Sequence, residues 1–265
     1  MTINMIDKNA NIIRDPKIKR IVEYSEGDKQ INVLDSRFYR RNGEYYPSVT
    51  SVLNYFPKNQ FFHSWLKDVG HNSDIIAQKA ANEGTQVHTA IEEFLQGNEI
   101  NWIDEFGNAK YNLDVWRMIL KFADFWNTHK PELITAEYHL FSDEYKFAGT
   151  ADLVLKFLDK IWLVDIKTSN SLHTAYDLQT AAYATAWNET HDQKVDDTAI
   201  LWLKANTRGE GKGGKIQGKG WEFKQIGDIE KNFKMFMNIY EIYKLENPDF
   251  KPMTELLPTT VKISE

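Results

Sequence analysis

Residues 147–169, FAGTADLVLKFLDKIWLVDIKTS, leave the chain few ways to fold. Residues 148–157 and 161–167 are rich in β-branched and large apolar side chains, and Asp159-Lys160 separates them. This pattern predicts two antiparallel strands joined by a tight turn. A turn on Asp159-Lys160 sets Asp152 opposite Lys167, with Asp165 as its diagonal neighbour. Opposed residues project to the same side of a sheet, and residues two apart on a strand share a face. Asp152, Asp165 and Lys167 therefore cluster on one face. Leu153, Leu155, Phe157, Trp162, Val164 and Ile166 form an apolar second face suited to packing on helices. Two carboxylates beside one ammonium can hold a hard divalent cation such as Mg²⁺ or Mn²⁺. Such an ion polarises a phosphoryl oxygen and lowers the pKa of a bound water. The ammonium can orient that water or neutralise charge developing on phosphorus. A lone Asp-x-Lys is ordinarily an exposed cross-strand salt bridge. Here apolar neighbours cover the face, and burying such charges unpaired is costly.

The remaining segments supply the layers. Residues 1–30 read as an irregular charged arm and 31–46 as a hairpin turning at Asn42-Gly43. A short helix opens after Pro47, with Ser48 or Thr50 as N-cap. Residues 74–96 read as a helix interrupted near Gly84 and ended by Gly97. Over 112–129, Val115, Ile119, Phe122 and Trp126 keep helical spacing. Beyond Pro131 come a strand at 133–141, the hairpin, a helix at 173–190, strands at 199–204 and 221–224, and a helix at about 228–246. This order predicts an α/β sandwich with a mixed central sheet flanked by helices, preceded by a helical part. The chain divides into an arm and hairpin (1–46), a main domain (47–250) and a tail (251–265). The main domain comprises a helical lead-in (47–130), a core (131–205) and a C-terminal loop and helix (206–250).

Composition narrows the chemistry. The 265 residues suffice for a sizeable core. The absence of Cys excludes disulfides, Cys-ligated zinc and Cys-ligated iron–sulfur clusters. The longest apolar run, Ala199 to Leu203, is five residues, so no membrane partner is expected. The first twenty residues lack the apolar core of a signal peptide, and a cytoplasmic location is expected. A net charge of −6 argues against a generally basic surface but permits a local basic groove. Residues 204–224, KANTRGEGKGGKIQGKGWEFK, carry six Lys or Arg against two Glu. Lys212, Lys215 and Lys219 could follow a phosphate backbone, and Trp221 could stack a base. A solvated, glycine-rich connector explains the same composition equally well.

Gly149-Thr150-Ala151-Asp152, followed by Asp165-Ile166-Lys167-Thr168, resembles the catalytic core of the PD-(D/E)xK nuclease superfamily. The closer likeness is to its RecB-like exonuclease branch, of the mitochondrial genome maintenance exonuclease and CRISPR-associated adaptation nuclease types. Glu83-Gly84-Thr85-Gln86-Val87-His88, with Ala90-Ile91-Glu92 after it, is similar to that branch's Gly-Thr-x-x-His helix. Glu137 falls on the strand before that of Asp152, and Gln179 and Tyr183 match a Gln-x-x-x-Tyr helix. Residues 47–53, PSVTSVL, and Trp65 are similar to the lead-in of the mitochondrial-type members. The likeness covers about 45–205. It implies a restriction-endonuclease-like fold and a metal-dependent deoxyribonuclease, an exonuclease on single-stranded or frayed DNA ends, in DNA repair, recombination or phage DNA processing. A structure-specific endonuclease and an inactive nucleic-acid-binding module of the same fold are the alternatives. The resemblance implies that His88, Asp152, Asp165 and the backbone carbonyl of Ile166 ligate Mg²⁺ or Mn²⁺. It assigns Glu137 to the metal directly or through water, and Gln179 and Tyr183 to positioning Lys167 or a phosphate. Taken alone, His88 reads equally as a half-buried helix histidine. Glu92, one turn on, is either its partner or a solvated charge. Without Cys, the chain belongs with the cluster-free members.

Overall fold

The computed structural model describes residues 20–22, 29–33, 36–204, 220–248 and 253–255, with side chains over 39–204 and 220–248. Strands β1 (Arg20–Val22), β2 (Lys29–Val33), β3 (Ser36–Arg41) and β4 (Glu44–Pro47) come first. Helices α1 (Val49–Leu53), α2 (Gln60–Val69), α3 (Ser73–Leu95) and α4 (Leu113–His129) follow. Then come β5 (Glu132–Ser142), β6 (Phe147–Phe157), β7 (Lys160–Lys167), α5 (Thr174–Thr190), β8 (Asp197–Trp202), β9 (Glu222–Gln225), α6 (Ile229–Glu246) and β10 (Met253–Glu255). The central sheet has the order β5-β6-β7-β8-β9. Only β7 and β8 run parallel within it, because α5 crosses between them. The fold is thus an α/β sandwich with a mixed sheet. β2, β3 and β4 form a separate three-stranded sheet, and β1 pairs with β10. Among the described residues no helix is long and apolar enough to cross a membrane.

Each sheet face has its own core. On one face Val154, Ile161 and Leu163 pack with α1, α5 and α6 through Val52, Leu178, Ala182 and Phe236. On the other, Leu153, Leu155, Trp162, Val164 and Ile166 pack with α3 and α4 through Val87, Ile91, Val115 and Phe122. The apolar second face expected of the hairpin is therefore the one that α3 and α4 cover.

Three local expectations are corrected. The hairpin turns on Leu158-Asp159, both at positive φ (51° and 57°), instead of on Asp159-Lys160. Leu153 pairs with Val164 and Phe157 with Lys160, so Asp152 stands level with Asp165, one step past the last regular pair, and not with Lys167. The slip is two residues, which keeps every side chain on its predicted face. Secondly, α3 runs unbroken through Gly84. A Cβ there would lie 3.1 Å from Thr168 Oγ1, so this glycine serves a close approach between α3 and the end of β7. Finally, Trp221 is 9% exposed and belongs to the α3–α4 core, where its indole N–H donates to Asp124 Oδ2 at 2.7 Å. It meets Phe125 and His129 in edge-to-face contacts, so the structure describes it as a packing residue. Lys212, Lys215 and Lys219 lie outside the described residues.

Candidate active site

The Asn112 side chain caps α4 and also donates from Nδ2 to Glu83 Oε1 (3.0 Å), which ties the two lead-in helices together. Burial of Val87, Ala90 and Ile91 then fixes the rotation of α3 and turns His88 toward the sheet. On β5, Glu137 adopts φ 48°, a left-handed conformation rare for a non-glycine residue in a strand. The regular pairing of β5 with β6 runs on both sides of Glu137 and Asp152 but omits these two. The distortion re-aims both carboxylates. His88 Nδ1 lies 3.5 Å from Glu137 Oε1 and 3.8 Å from Asp152 Oδ1. The ligand atoms of these three residues all fall within 4.8 Å of one another.

Asp152 is held in place by the Ile166 amide, which donates to its Oδ2 at 2.6 Å. Asp165, 1% exposed, turns the other way. Its Oδ2 forms an ion pair with Lys167 Nζ at 2.7 Å, and neither of its two buried oxygens accepts a hydrogen bond of regular geometry among the described residues. Lys167 Nζ donates to Gln179 Oε1 (3.2 Å), and Gln179 Nε2 donates to the Tyr183 hydroxyl (3.1 Å). The Tyr183 ring packs directly on Gly149, where a Cβ would come within 2.1 Å of Cε1. The Tyr176 ring, three residues before Gln179 on α5, lies with its centroid 4.5 Å from Lys167 Nζ. Glu92 is exposed and accepts from Gln96 Nε2 instead of meeting His88, so of its two readings the structure supports the solvated charge.

Three carboxylates this close destabilise one another, and burial adds to the cost. Burial pushes the Asp165 carboxyl up to about 6, against the opposing pull of Lys167. Burial likewise raises Asp152, against His88 and Lys167. For His88, burial opposes the charge, but Asp152 and Glu137 outweigh it and push the imidazole up to about 9. Burial also opposes the charge on Lys167, and Asp165 and Asp152 again prevail, so its pKa is raised. The site thus offers concentrated carboxylate oxygen, one imidazole and two buried Asp165 oxygens without a hydrogen-bond donor. That set suits a hard divalent cation, and the His88 imidazolium supplies positive charge in its absence.

The structure brings together His88, Glu137, Asp152, Asp165, Lys167, Gln179, Tyr183 and the backbone of Ile166. Two contributors are not in the predicted set. Tyr176 could have been found, because it lies on the Gln179 face of a predicted helix at i−3. The Ile166 amide had no side-chain signal.

A sequence profile described as the PD-(D/E)XK nuclease superfamily matches residues 53–255. No curated protein matches the chain. Among solved structures, a "Putative exonuclease" from Eubacterium rectale matches with a TM-score of 0.43 and 13% sequence identity, over 82% of this chain and 91% of that one.

Proposed function

Because the chain belongs to the PD-(D/E)XK nuclease superfamily, we propose that it is a divalent-metal-dependent deoxyribonuclease, an exonuclease acting on single-stranded or frayed DNA ends. The observation that carries this reading is the convergence of His88, Glu137 and Asp152 beside the buried Asp165–Lys167 pair. His88, Asp152, Asp165 and the Ile166 carbonyl would hold the ion, with Glu137 joining directly or through water. Bound there, Mg²⁺ or Mn²⁺ would polarise the scissile phosphate and make a water nucleophilic at neutral pH.

The chain's own groups do the positioning. The Ile166 amide fixes the Asp152 carboxylate, leaving its Oδ1 toward His88. Lys167 stays protonated, so its ammonium can donate to the attacking water or to the phosphate oxygen on which charge accumulates. Gln179, oriented by Tyr183, prevents that ammonium from swinging away. Water adds to phosphorus and gives a proton to solvent, the P–O bond to the leaving sugar oxygen breaks, and that oxygen takes up a proton from solvent, so that a phosphomonoester and a free hydroxyl result.

The test is a gel series on linear and circular, single- and double-stranded DNA, with Mg²⁺, Mn²⁺ or chelator. Metal-dependent loss of linear single strands, with circles left intact, is the expected result. Cutting of circles would make the protein an endonuclease. Metal binding without cleavage of any DNA would make it a binding module.

A further inference from the structure

An ammonium group carries three N–H donors. Lys167 donates to Gln179 Oε1 at 3.2 Å and stands 2.7 Å from Asp165 Oδ2 as an ion pair, and among the described residues it meets no further oxygen acceptor. In its place stands the half-buried Tyr176 ring, its centroid 4.5 Å from Nζ. That distance is well inside the reach of a cation–π contact, which strengthens where solvent is sparse. The Lys167 side chain is 17% exposed. The Tyr176 hydroxyl makes no hydrogen bond among the described residues, so the ring face is what Tyr176 contributes. Its orientation is set from the α5 N-terminus, where His173 meets it edge-on with centroids 5.5 Å apart. Tyr176 and Gln179 lie one turn apart on the same helix, so α5 approaches the ammonium with an aromatic face and an amide oxygen together.

We infer that Tyr176 is a positioning residue, whose ring face holds the Lys167 ammonium at the geometry needed for turnover. The inference deepens the nuclease reading and rests on it. A lysine stem has four rotatable carbons, and an ammonium displaced by about 1 Å can cost a large share of the rate. With the ring removed, Asp165 and Gln179 still hold Nζ, but from two directions only.

The experiment uses the full-length chain. Tyr176→Leu should lower kcat about three- to thirtyfold, with KM and Mn²⁺ affinity unchanged, and Tyr176→Phe should restore what Leu loses. Phenylalanine with one, two and three ring fluorines at position 176 should lower kcat stepwise, because fluorine drains the ring face of charge while nearly preserving its shape. This series also decides the matter if Tyr176→Leu fails to fold. Independently of cleavage, NMR of ¹³Cε-labelled lysine should show an upfield ring-current shift for Lys167 that Tyr176→Leu abolishes. A flat kcat across the fluorinated series overturns the role, and absence of the shift overturns the contact. A rise in KM at constant kcat would make Tyr176 a DNA contact instead. If the unmodified chain cleaves no DNA with either metal, the nuclease reading fails and the role in turnover ends with it, while the NMR shift still decides whether the contact exists.

Discussion

Removing the Lys167 ammonium would leave the Asp165 carboxylate buried without a counter-charge. Breaking a buried pair in this way costs about 3–5 kcal/mol. Lys167→Ala should therefore lose turnover and also melt earlier, and Mn²⁺ should recover part of the loss by supplying the missing charge. A thermal melt with and without Mn²⁺ measures this, and an unchanged melting temperature would mean that the pair is solvated. His88 makes a second prediction. Its pKa is raised from an ordinary value of 6.5 to about 9, by Asp152 and Glu137 acting against burial. Its charge stabilises the folded chain fully below about 6.5, and this contribution disappears as pH rises through about 9. Between those values the metal-free protein should lose stability more steeply than His88→Ala does. An imidazole must also shed its proton to ligate. Mn²⁺ binding at pH 7.5 should consequently release about one proton, seen as a buffer-dependent heat in titration calorimetry. A heat independent of buffer would remove His88 from the ligand set.

On α5 and β6, geometry makes the sharpest claim at Gly149. Its missing Cβ is the space that the Tyr183 ring occupies. Gly149→Ala should destabilise by about 1–3 kcal/mol through overpacking. Adding Tyr183→Leu should recover stability without recovering activity, because Gln179 loses its anchor. Trp221 is the control for packing against binding. Trp221→Ala should cost about 3–5 kcal/mol of stability while leaving the affinity for DNA in proportion to the folded fraction. The contrast between these positions and the hairpin shows what sequence reading could reach. The strands were legible because apolar runs bounded by polar turns have few alternatives, and the Asp152–Asp165–Lys167 face survived a misplaced turn because the error was even. The turn itself was not legible, since Leu158 carries no local preference for positive φ. Neither was the aim of Glu137, which depends on a strained strand residue held by its surroundings. The packing of Trp221 is not legible in a local window, because its partner Asp124 lies 97 residues away. Gly84 reads as a helix break in the sequence, whereas in the fold it serves the close approach to Thr168, a contact that no local window contains.

Taken as a whole, the molecule carries a net charge of −6, and 204–224 is a locally basic stretch within it. If Lys212, Lys215 and Lys219 contact phosphates, replacing all three with Gln should make the salt dependence of single-strand binding shallower, by about 0.7 in logarithmic slope per lost contact. Turnover at saturating DNA should hold. An unchanged slope would assign the segment to the role of a connector. The site has a further property at this scale, which follows from where its residues originate. Its acidic groups come from the central sheet and its amide and tyrosines from α5, whereas His88 comes from α3, in the layer beyond the opposite sheet face. The imidazole therefore reaches around from one hydrophobic core to a charge cluster supported by the other. Whatever ties His88 to those carboxylates, whether a shared proton or a bound ion, is a clasp between the helical layers on the two faces of the sheet. Exchanging one clasp for the other should be felt far from the site, as altered amide hydrogen exchange along α3 and α4, so that these helices report from a distance what occupies the centre.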